Sequence, residues 1–476
     1  MSKTIDNPCE GLQRGASSAV SPLAGELLAR DSQRQTTALS ATGNHEPAVR
    51  EIPFARYWDP QFAALEREKL WSKVWQYACR EEDIPEIGDR LTYEVAGMSF
   101  MIVRSTADTI QAFHNACLHR GTKLCTGFTS TPSIRCPFHA WEWNLDGSLH
   151  NIPSSWDFPH VSRDRYRLPE VKVARWGGYV FVNPDPDAQP LERYLGVLPE
   201  HFTLWRPEER FTFVRVRKRI RANWKTVMEA FLESYHVIET HSDSLGFTGD
   251  ASTQYDIWDD GVSHISRLIT PSAVPSPHLG DTASSQDALD MLMKAYALSM
   301  GPGAQLPRFD ASKGAGRAEI AQWRREMMAQ QLGKDFSHLS DAELLDSIQY
   351  YMFPNFCPWY GEGLPLAYQF LPLGDDPNVS VMDIRLLLPV PSNAPRPPSA
   401  PAIELGFDDS LAAAPGFGLL CHIFDQDMSN LPQVQAGLRV AAPGFKRPTL
   451  GRYQESRIQH FHNTLEQCLG LRTSDG

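Results

Sequence analysis

Two cysteines and two histidines between residues 117 and 139 have the types and the spacing of a metal site. Cys117 and His119 are separated by one residue. After a gap of sixteen residues, Cys136 and His139 form a second pair that is separated by two residues. Each pair brings one thiolate and one imidazole together on a short turn. A mixed set of this kind suits zinc, and it also suits a [2Fe-2S] cluster in which two histidines replace two cysteines on one iron.

The order of the ligands and the residues around them favour the cluster. Zinc fingers usually pair cysteine with cysteine and histidine with histidine, whereas each pair here is a cysteine followed by a histidine. The stretches "CLHRG" and "CPFHAWEWNLDGSL" resemble the two cluster-binding loops of Rieske iron–sulfur domains. The resemblance implies that Cys117 and Cys136 hold one iron and that His119 and His139 hold the other. Cys125 has no matching position and is expected to be an ordinary buried thiol.

The implied cofactor, one [2Fe-2S] cluster, transfers single electrons. Neutral histidine ligands raise the potential of such a cluster well above that of all-cysteine clusters. Ala140 stands where the family often has glycine, and its methyl group is expected to be tolerated. An electron carrier needs an acceptor, so the rest of the chain should contain one.

A second set of candidate ligands begins in the segment "NWKTVMEAFLESYHV", residues 223–237. Projected as a helix, the segment has a broad apolar face and a narrow polar line on the opposite side. The polar line consists of Lys225, Glu229, Glu233 and His236. Taken alone, the line is equally well explained as a solvated stripe with a Lys–Glu pair. His241 lies about 140° from His236 on a regular helix, so the helix must end or bulge between them if both bind one metal.

The third ligand should be a carboxylate, because two histidines and one carboxylate form the facial triad of non-haem Fe(II) oxygenases. In "FDQDMSNLPQVQAGLRV", a helical projection places Asp427 on the apolar stripe and Asp425 nearly opposite. A carboxylate on an inward face needs a partner or a metal. Pro432 weakens the projection, since it must lie in the first turn or kink the helix. Asp427 remains the preferred candidate.

These segments also resemble a known family. "NWKTVMEAFLESYHVIETH" is similar to the helix that carries the mononuclear iron in Rieske-type oxygenases, and "DQDMSNLPQVQAGL" is similar to the segment with its acidic ligand. From about residue 50 to residue 470, the chain resembles the terminal oxygenase (alpha) subunit of Rieske-type non-haem iron aromatic-ring-hydroxylating oxygenases. The resemblance implies one mononuclear Fe(II) bound by His236, His241 and Asp427.

The resemblance also gives Glu233 a catalytic role. It matches the acid that, in the family, bridges a cluster histidine of the neighbouring subunit to an iron-binding histidine. That acid is more often aspartate in ring-dihydroxylating members, which leaves the geometry of the bridge open here. Ala230 stands where many members have asparagine. Glu229 is expected to be structural.

The elements that position both sites suggest an α+β protein. We expect a small all-β Rieske domain followed by a helix-grip (START-like) catalytic domain, in which helices flank an antiparallel sheet. The predicted boundaries are a disordered or partner-wrapping arm at 1–48, a helical lead-in packing on the catalytic domain at 49–75, the Rieske domain at 76–188, and the catalytic domain at 189–476 with a helical insertion at 284–350. The last helical pattern of the insertion, "SDAELLDSIQYYMF", opens with the capping box Ser340 to Glu343.

Charge and composition limit the partners. The 476 residues carry a formal net charge of −12, which argues against a nucleic-acid or anionic-membrane partner. We find no apolar run that could span a bilayer and no signal peptide, so a cytoplasmic location is expected. No G-x-G-x-x-G after a strand and no P-loop is present, so a ferredoxin, a flavin reductase or both must supply electrons.

The resemblance implies a Rieske oxygenase, mono- or dioxygenase, that uses O2 and relayed electrons. Its expected role is to hydroxylate a small hydrophobic aromatic or polycyclic substrate in aromatic hydrocarbon catabolism, as a homotrimer with or without a beta subunit. The alternative is a monooxygenase that performs oxidative O- or N-dealkylation. A more remote alternative is an electron-transfer Rieske protein without catalytic iron.

Overall fold

Two β-rich units follow one another along the chain, a small β domain and a larger C-terminal domain. The structure is a computed structural model that describes residues 15–18, 20–31, 36–43, 51–300, 306–314, 316–392, 394–440 and 447–471. No helix within these ranges is both long enough and apolar enough to cross a membrane.

The described part of the N-terminal arm packs on the C-terminal domain of the same chain. It forms two short helices, α1 (Ala24–Leu28) and α2 (Thr37–Ser40). Leu28 and Leu39 are buried in a core shared with the large sheet. The guanidinium of Arg267 donates hydrogen bonds to backbone carbonyls within and just after α2. Burial of these leucines places the described part of the arm on its own chain; the rest of the segment predicted as a disordered or partner-wrapping arm lies outside the described residues.

A longer lead-in helix connects the arm to the small β domain. Helix α3 (Pro60–Glu66) begins at Asp59, whose side chain accepts a hydrogen bond from the amide of Gln61 at 2.9 Å. A π-helical turn, Arg67–Trp71, continues it. The ring of Trp71 meets that of Trp224 edge to face at 5.0 Å, so the lead-in packs on the C-terminal domain.

The small β domain consists of a seven-stranded and a three-stranded antiparallel sheet. The larger sheet has the order β1-β10-β9-β4-β3-β2-β5, and the smaller has the order β6-β7-β8. The strands are β1 (Gln76–Arg80), β2 (Asp89–Val95), β3 (Met98–Arg104), β4 (Ile110–His114), β5 (Phe128–Ser130), β6 (Ile134–Arg135), β7 (Glu142–Trp143), β8 (Leu149–Asn151), β9 (Glu170–Trp176) and β10 (Tyr179–Asn183). Cys117 lies between β4 and β5, and Cys136 lies between β6 and β7.

The C-terminal domain is built on one eight-stranded sheet. Its elements are α4 (Leu191–Tyr194), α5 (Leu198–His201), β11 (Arg210–Ile220), α6 (Trp224–Ala230), α7 (Val237–Thr240), β12 (Gln254–Asp259), β13 (His264–Thr270), α8 (Ser285–Met300), α9 (Arg317–Leu332), α10 (Asp341–Leu345), β14 (Ser347–Met352), β15 (Phe356–Tyr360), β16 (Leu366–Pro372), β17 (Ser380–Pro389), β18 (Ala402–Leu405), α11 (Leu420–Arg439) and α12 (Ser456–Leu469). The sheet order is β12-β13-β14-β15-β16-β17-β11-β18, antiparallel except where β18 pairs with β11. The expected α+β architecture is confirmed.

Helices that pack on this sheet position the second ligand set. Helix α6 contacts β16 and β17, and α12 contacts β12 and β13. Helix α11 contacts α6 and α7, so the C-terminal part of the chain lies beside the segment that follows α6. This packing joins residues that are far apart in sequence.

Buried ion pairs join the two domains. The guanidinium of Arg385, on β17, lies 2.6 Å from the carboxylate of Asp83 in the small β domain, and both side chains are less than 10% exposed. Arg215, on β11, lies 3.8 Å from the same carboxylate. Removing one partner of such a pair leaves an uncompensated buried charge, so the pairs hold the domains in one arrangement.

The helical pattern at the end of the insertion requires a correction. The capping box is present, since the Ser340 hydroxyl accepts a hydrogen bond from the Glu343 amide and the Glu343 carboxylate accepts one from the Ser340 amide. However, α10 ends at Leu345, and the residues from Ser347 onward form β14. The tyrosines and isoleucine of "SIQYYM" favour a strand, and pairing with β13 and β15 outweighs the helical spacing.

Candidate metal centres

The two cysteine–histidine pairs lie on tight turns of the small β domain. In the first turn, the amide of Gly121 donates a hydrogen bond to the carbonyl of Cys117 at 2.8 Å. In the second turn, the amide of Ala140 donates to the carbonyl of Cys136 at 3.1 Å. Cys117 and Cys136 are 4% and 2% exposed. Both thiols therefore lie inside the domain.

The two predicted histidine ligands face each other. The ring centroids of His119 and His139 are 4.6 Å apart with their planes at 69°, and His119 also stacks on Trp141 at 5.2 Å. Nδ1 of His119 is buried and has no hydrogen-bond partner in the described part of the chain. A buried nitrogen without a partner is unfavourable unless a ligand satisfies it, so this atom fits a metal ligand. His139 is exposed, which places the pair at the surface.

Backbone amides surround the two sulfur atoms. Burial opposes ionisation of the Cys136 thiol, but hydrogen bonds from the amides of Phe138 and His139 outweigh it, and the pKa of Cys136 is lowered. At Cys117, burial prevails over the amide of His119 and raises the pKa of the thiol. Amides that donate to sulfur stabilise the negative charge of thiolates and of an iron–sulfur cluster. The surroundings of the two cysteines therefore fit the cluster.

Two other residues of these loops behave as expected. Cys125 is buried, and its thiol donates to the carbonyl of Gly127 at 3.5 Å. Ala140 has a φ of +61°, the left-handed region in which an L-residue costs about 1–2 kcal/mol. This backbone conformation explains why glycine suits the position, and the methyl group of Ala140 is accommodated with strain.

The second set consists of His236, His241 and Asp427, which the fold brings together. Oδ1 of Asp427 lies 3.1 Å from Nε2 of His241 and 3.7 Å from Nε2 of His236. One ligand atom from each of the three residues lies within 4.8 Å of the others. Asp427 is 3% exposed and His241 is 6% exposed, while His236 is half-buried. Two imidazole nitrogens and one carboxylate oxygen that meet in this way fit a non-haem Fe(II) ion.

The other ring nitrogen of each histidine is held by a side chain. Nδ1 of His236 lies 2.7 Å from the carboxylate of Glu233, and Nδ1 of His241 lies 2.9 Å from Oε1 of Gln426. When Nδ1 is the donor, the lone pair of Nε2 is free to bind a metal. The sequence did not reveal the role of Gln426. On a helix its side chain points about 100° away from that of Asp427, and only tertiary packing brings it to His241.

Neighbouring carboxylates shift the pKa of His236. Burial disfavours the imidazolium, but Glu233 and Asp427 outweigh burial and raise the pKa of His236 to about 9. The metal-free set therefore holds a proton at neutral pH, and a metal ion must displace it.

The local chain path explains how histidines five residues apart can meet. Helix α6 ends at Ala230, earlier than predicted, and the single-turn helix α7 lies between His236 at its N-terminal end and His241 at its C-terminal end. Tertiary contacts support the break between the helices: Arg457 donates to the carbonyl of Leu232 at 3.2 Å. The chain is thus interrupted before His236. Helix α7 also ends at Thr240, so that His241 lies just outside the helix at φ −118° and ψ 41°, which is the helix end that the sequence required between the two histidines.

The polar line of the predicted helix is not a solvated stripe. Lys225 is fully buried and lies 2.7 Å from the carboxylate of Glu66 on α3. Glu229 accepts hydrogen bonds from the Tyr57 hydroxyl at 3.0 Å and pairs with Nε2 of His462 at 2.8 Å. These contacts join α3, α6 and α12, which supports a structural role for Glu229.

Helix α11 directs its two candidate carboxylates differently. Asp427 lies on the buried face with Phe424 and Leu431. Asp425 instead accepts hydrogen bonds from the Ser410 hydroxyl and the Leu411 amide. Pro432 lies inside α11 and not in its first turn.

Aromatic side chains lie next to the second set. Phe231 contacts the rings of Tyr368, Phe370 and Phe424 at centroid distances of 5.4, 5.7 and 6.3 Å. Burial and the charge of Asp427 raise the pKa of Tyr368 well above its usual range, so this ring is near the carboxylate. We call these four rings the aromatic wall.

Comparison with protein families matches both domains. The family model described as ring hydroxylating alpha subunit (catalytic domain) matches residues 202–471. The family model described as Rieske [2Fe-2S] domain matches residues 74–162. These matches resolve the choice between zinc and a cluster at the first site in favour of the [2Fe-2S] cluster, and they provide a domain of the kind that binds a mononuclear iron.

Two relatives are monooxygenase subunits. The carnitine monooxygenase oxygenase subunit of Escherichia coli (strain K12) is 32% identical over 200 residues, which cover 41% of this chain and 54% of the relative. The glycine betaine monooxygenase oxygenase subunit of Chromohalobacter salexigens is 28% identical over 214 residues, 44% of this chain and 46% of the relative. The chain spans about half the length of these relatives.

Solved structures share the fold over most of the chain. A quaternary ammonium Rieske monooxygenase studied for carnitine oxidation by gut microbiota has a TM-score of 0.62 at 17% identity, covering 89% of this chain and 96% of that one. Naphthalene 1,2-dioxygenase from Rhodococcus sp. has a TM-score of 0.58 at 19% identity, covering 89% and 95%. Both likenesses concern the fold.

Proposed function

Because the chain belongs to the ring-hydroxylating alpha-subunit family and contains a Rieske [2Fe-2S] domain, we propose that it is the oxygenase component of a Rieske monooxygenase. The observation that carries the proposal is the meeting of His236, His241 and Asp427 within 4.8 Å, although 185 residues lie between His241 and Asp427. An electron carrier would have no use for this arrangement, so the remote alternative of a Rieske protein without catalytic iron is disfavoured.

The chain's own side chains prepare both sites. Cys117, Cys136, His119 and His139 would hold the cluster, and His236, His241 and Asp427 would hold the iron. When bound, the cluster supplies single-electron transfer and the iron supplies O2 activation, chemistry that no side chain provides. Glu233 and Gln426 fix the two imidazoles so that Nε2 of each ring is presented to the metal.

In this proposal, electrons come from a separate protein and pass between subunits. A ferredoxin, a flavin reductase or both would reduce the protein at the exposed His139 side of the small β domain. In a homotrimer, Glu233 would connect His236 of its own subunit to a cluster histidine of the neighbouring subunit. A beta subunit and a cytoplasmic location remain predictions.

For the substrate, we favour a quaternary ammonium compound and the dealkylation alternative over an aromatic hydrocarbon. The relatives are named for carnitine and glycine betaine, both of which carry a quaternary ammonium group. The aromatic wall lies near the carboxylate of Asp427, and aromatic rings are the side chains that bind quaternary ammonium groups, so we propose that a substrate cation would approach this wall. The expectation of an aromatic or polycyclic substrate is supported less well, because these relatives are not named for such compounds.

The proposed reaction balances as a monooxygenation. One C–H bond next to nitrogen is replaced by C–OH, one oxygen atom of O2 enters the product, and the other leaves as water with two electrons and two protons from outside. The hydroxylated carbon then separates as an aldehyde while its hydroxyl proton passes to solvent, and the nitrogen retains the electron pair of the broken C–N bond as an amine.

Single turnover tests the proposal without a physiological partner. Iron-loaded protein is reduced with dithionite, freed of reductant and exposed to ¹⁸O2 with one compound at a time: carnitine, glycine betaine, choline, a methyl aryl ether, naphthalene or indole. We expect an amine and an aldehyde from a quaternary ammonium compound, at up to about one product per chain, and none from the Asp427→Asn variant. Product from naphthalene or indole alone would restore the aromatic substrate. Absence of product from every compound, with full iron content, would contradict the oxygenase.

A further inference from the structure

A second group of two histidines and one aspartate lies outside the proposed iron site. Asp259 ends β12, and His264 begins β13, so the two residues face each other across the hairpin that joins these strands. His460 lies on α12, which packs on both strands. One ligand atom from each of the three residues lies within 4.8 Å of the others.

The group combines close approach with burial. Nδ1 of His264 is 3.1 Å from Oδ1 of Asp259, and Nε2 of His460 is 3.0 Å from Oδ2 of the same carboxylate. His264 is 9% exposed and His460 is 1% exposed, whereas the side chain of Asp259 is 19% exposed. The two imidazoles therefore lie in the interior, and solvent reaches mainly the carboxylate.

Hydrogen bonds account for part of this geometry. The carboxylate of Asp259 accepts a hydrogen bond from the Gly261 amide at 2.9 Å and is hydrogen-bonded to Nε2 of His460. Nδ1 of His264 is different, because it is buried and makes no hydrogen bond with any described residue despite its 3.1 Å separation from oxygen. A nitrogen and an oxygen this close but not aligned with each other are arranged as two ligands of a shared ion are.

We propose that Asp259, His264 and His460 form a second, structural site for a divalent cation of the zinc type. Two imidazoles and one carboxylate are common zinc ligands, and water can take the fourth position at the exposed carboxylate. The ion would join the β12–β13 hairpin to α12. Because α12 also carries His462, which pairs with Glu229 on α6, the site would help to fix the helices behind the proposed iron ligands.

The experiment uses full-length protein in which the proposed iron ligands have been removed, so that zinc cannot bind there. The background variant is His236→Ala/His241→Ala. It is incubated with zinc, passed through a desalting column with a weak chelator and analysed for zinc per chain. We expect about one zinc per chain, and a large loss, to about one-tenth or less, when His264→Gln or Asp259→Asn is added.

Controls and a second measurement make the result decisive. His278→Gln in the same background should leave the zinc content unchanged, because His278 lies 3.9 Å from Asp250 and belongs to neither group. Zinc should raise the Tm of the background protein by several degrees and should not raise that of the His264→Gln variant, since only a ligand of the native state stabilises it. Far-UV circular dichroism checks that each variant is folded.

Two outcomes would overturn the proposal. Less than about one-tenth zinc per chain in the folded background variant would mean that the three residues are only a hydrogen-bonded cluster. Equal zinc content with and without His264→Gln and Asp259→Asn would place the ion elsewhere. Neither outcome bears on oxygenase activity, which is measured on protein that retains His236 and His241.

Discussion

The two proposed redox sites are built in opposite ways. The four proposed cluster ligands lie within residues 117–139, on turns held by backbone hydrogen bonds within each loop. The iron ligands come from both ends of a single helical turn, α7, and from α11, which lies nearly two hundred residues later. Local turns therefore form the first site, whereas packing of α6, α7 and α11 on the large sheet forms the second.

The difference predicts how each site fails. A change in a cluster loop should remove the cluster and leave the catalytic domain folded, because that domain has its own sheet and core. A change next to the iron ligands should lower metal affinity only partly. Several elements hold each ligand in place, and one substitution removes only one of the contacts that do so. Variants of the two sites can therefore be ranked by the size of the effect that each should have.

The largest effect is expected for Cys136→Ser. Loss of a thiolate ligand should abolish the visible absorbance of the cluster, lower the iron content by about two per chain and reduce turnover by more than about 100-fold. The mononuclear iron should remain, at about one per chain. Cys125→Ser is the matched control, since this buried thiol lies outside the ligand set and should retain the cluster. A Cys136→Ser protein with intact cluster absorbance would refute the ligand assignment.

Asp427→Asn should remove the mononuclear iron and leave the cluster in place, which is the reverse of the result expected for Cys136→Ser. This change should lower the iron content by about one per chain and remove turnover, while the cluster spectrum stays unchanged. Asp425→Asn serves as the control, because Asp425 bonds to Ser410 and Leu411 instead. Equal iron content in the two variants would show that the carboxylate ligand has been misassigned.

The same contrast explains what the sequence could predict. The proposed cluster ligands stand out in the sequence by their spacing and their neighbours, because each pair lies on one local turn. Helical direction favours Asp427 over Asp425, and the structure places Asp427 with the histidines and Asp425 away from them. The architecture, a β domain followed by a helix-flanked antiparallel sheet, also followed from strand and helix patterns and from the family resemblance, and it is confirmed.

What could not be predicted depends on contacts between distant elements. The contact between Gln426 and His241 exists only because α11 packs on α7. Lys225 is compatible with a solvated stripe in the sequence because its partner Glu66 lies on another helix, about 160 residues earlier. The prediction of a helix at β14 is wrong because the pairing of this strand with β13 and β15 is not visible in local spacing.

A smaller effect is expected for Gln426→Leu. The change removes the acceptor that orients the ring of His241, and such substitutions typically lower metal affinity by about 10–100-fold. Titration of metal-free protein with Co(II) would measure the affinity. Gln433→Leu, on the exposed face of the same helix, should have no effect. Unchanged affinity in Gln426→Leu would mean that packing alone orients the ring.

The affinity of the iron site for metal should also depend on pH. The pKa of His236 in the folded protein, about 9, lies above the ordinary histidine value of 6.5. Protonated His236 therefore stabilises metal-free protein fully below about pH 6.5, and this contribution is lost as pH rises through about 9. A metal ion must displace that proton, so Co(II) affinity should rise about tenfold per pH unit and level off near pH 9. Glu233→Gln should move the plateau to lower pH, whereas an unchanged plateau would exclude Glu233 as the cause.

The smallest effect is expected in the cluster loop, where Ala140 has a φ of +61°. Glycine adopts this conformation without the clash of a Cβ atom, so Ala140→Gly should relieve about 1 kcal/mol of strain. Part of the gain is offset because glycine is more flexible in the unfolded chain. Loss of cluster absorbance during heating would measure the change, which should be a small gain in stability. Ala107→Gly, in an exposed turn without positive φ, should give no gain. Destabilisation by Ala140→Gly would show that contacts of the methyl group, rather than the backbone angle, determine stability at this turn.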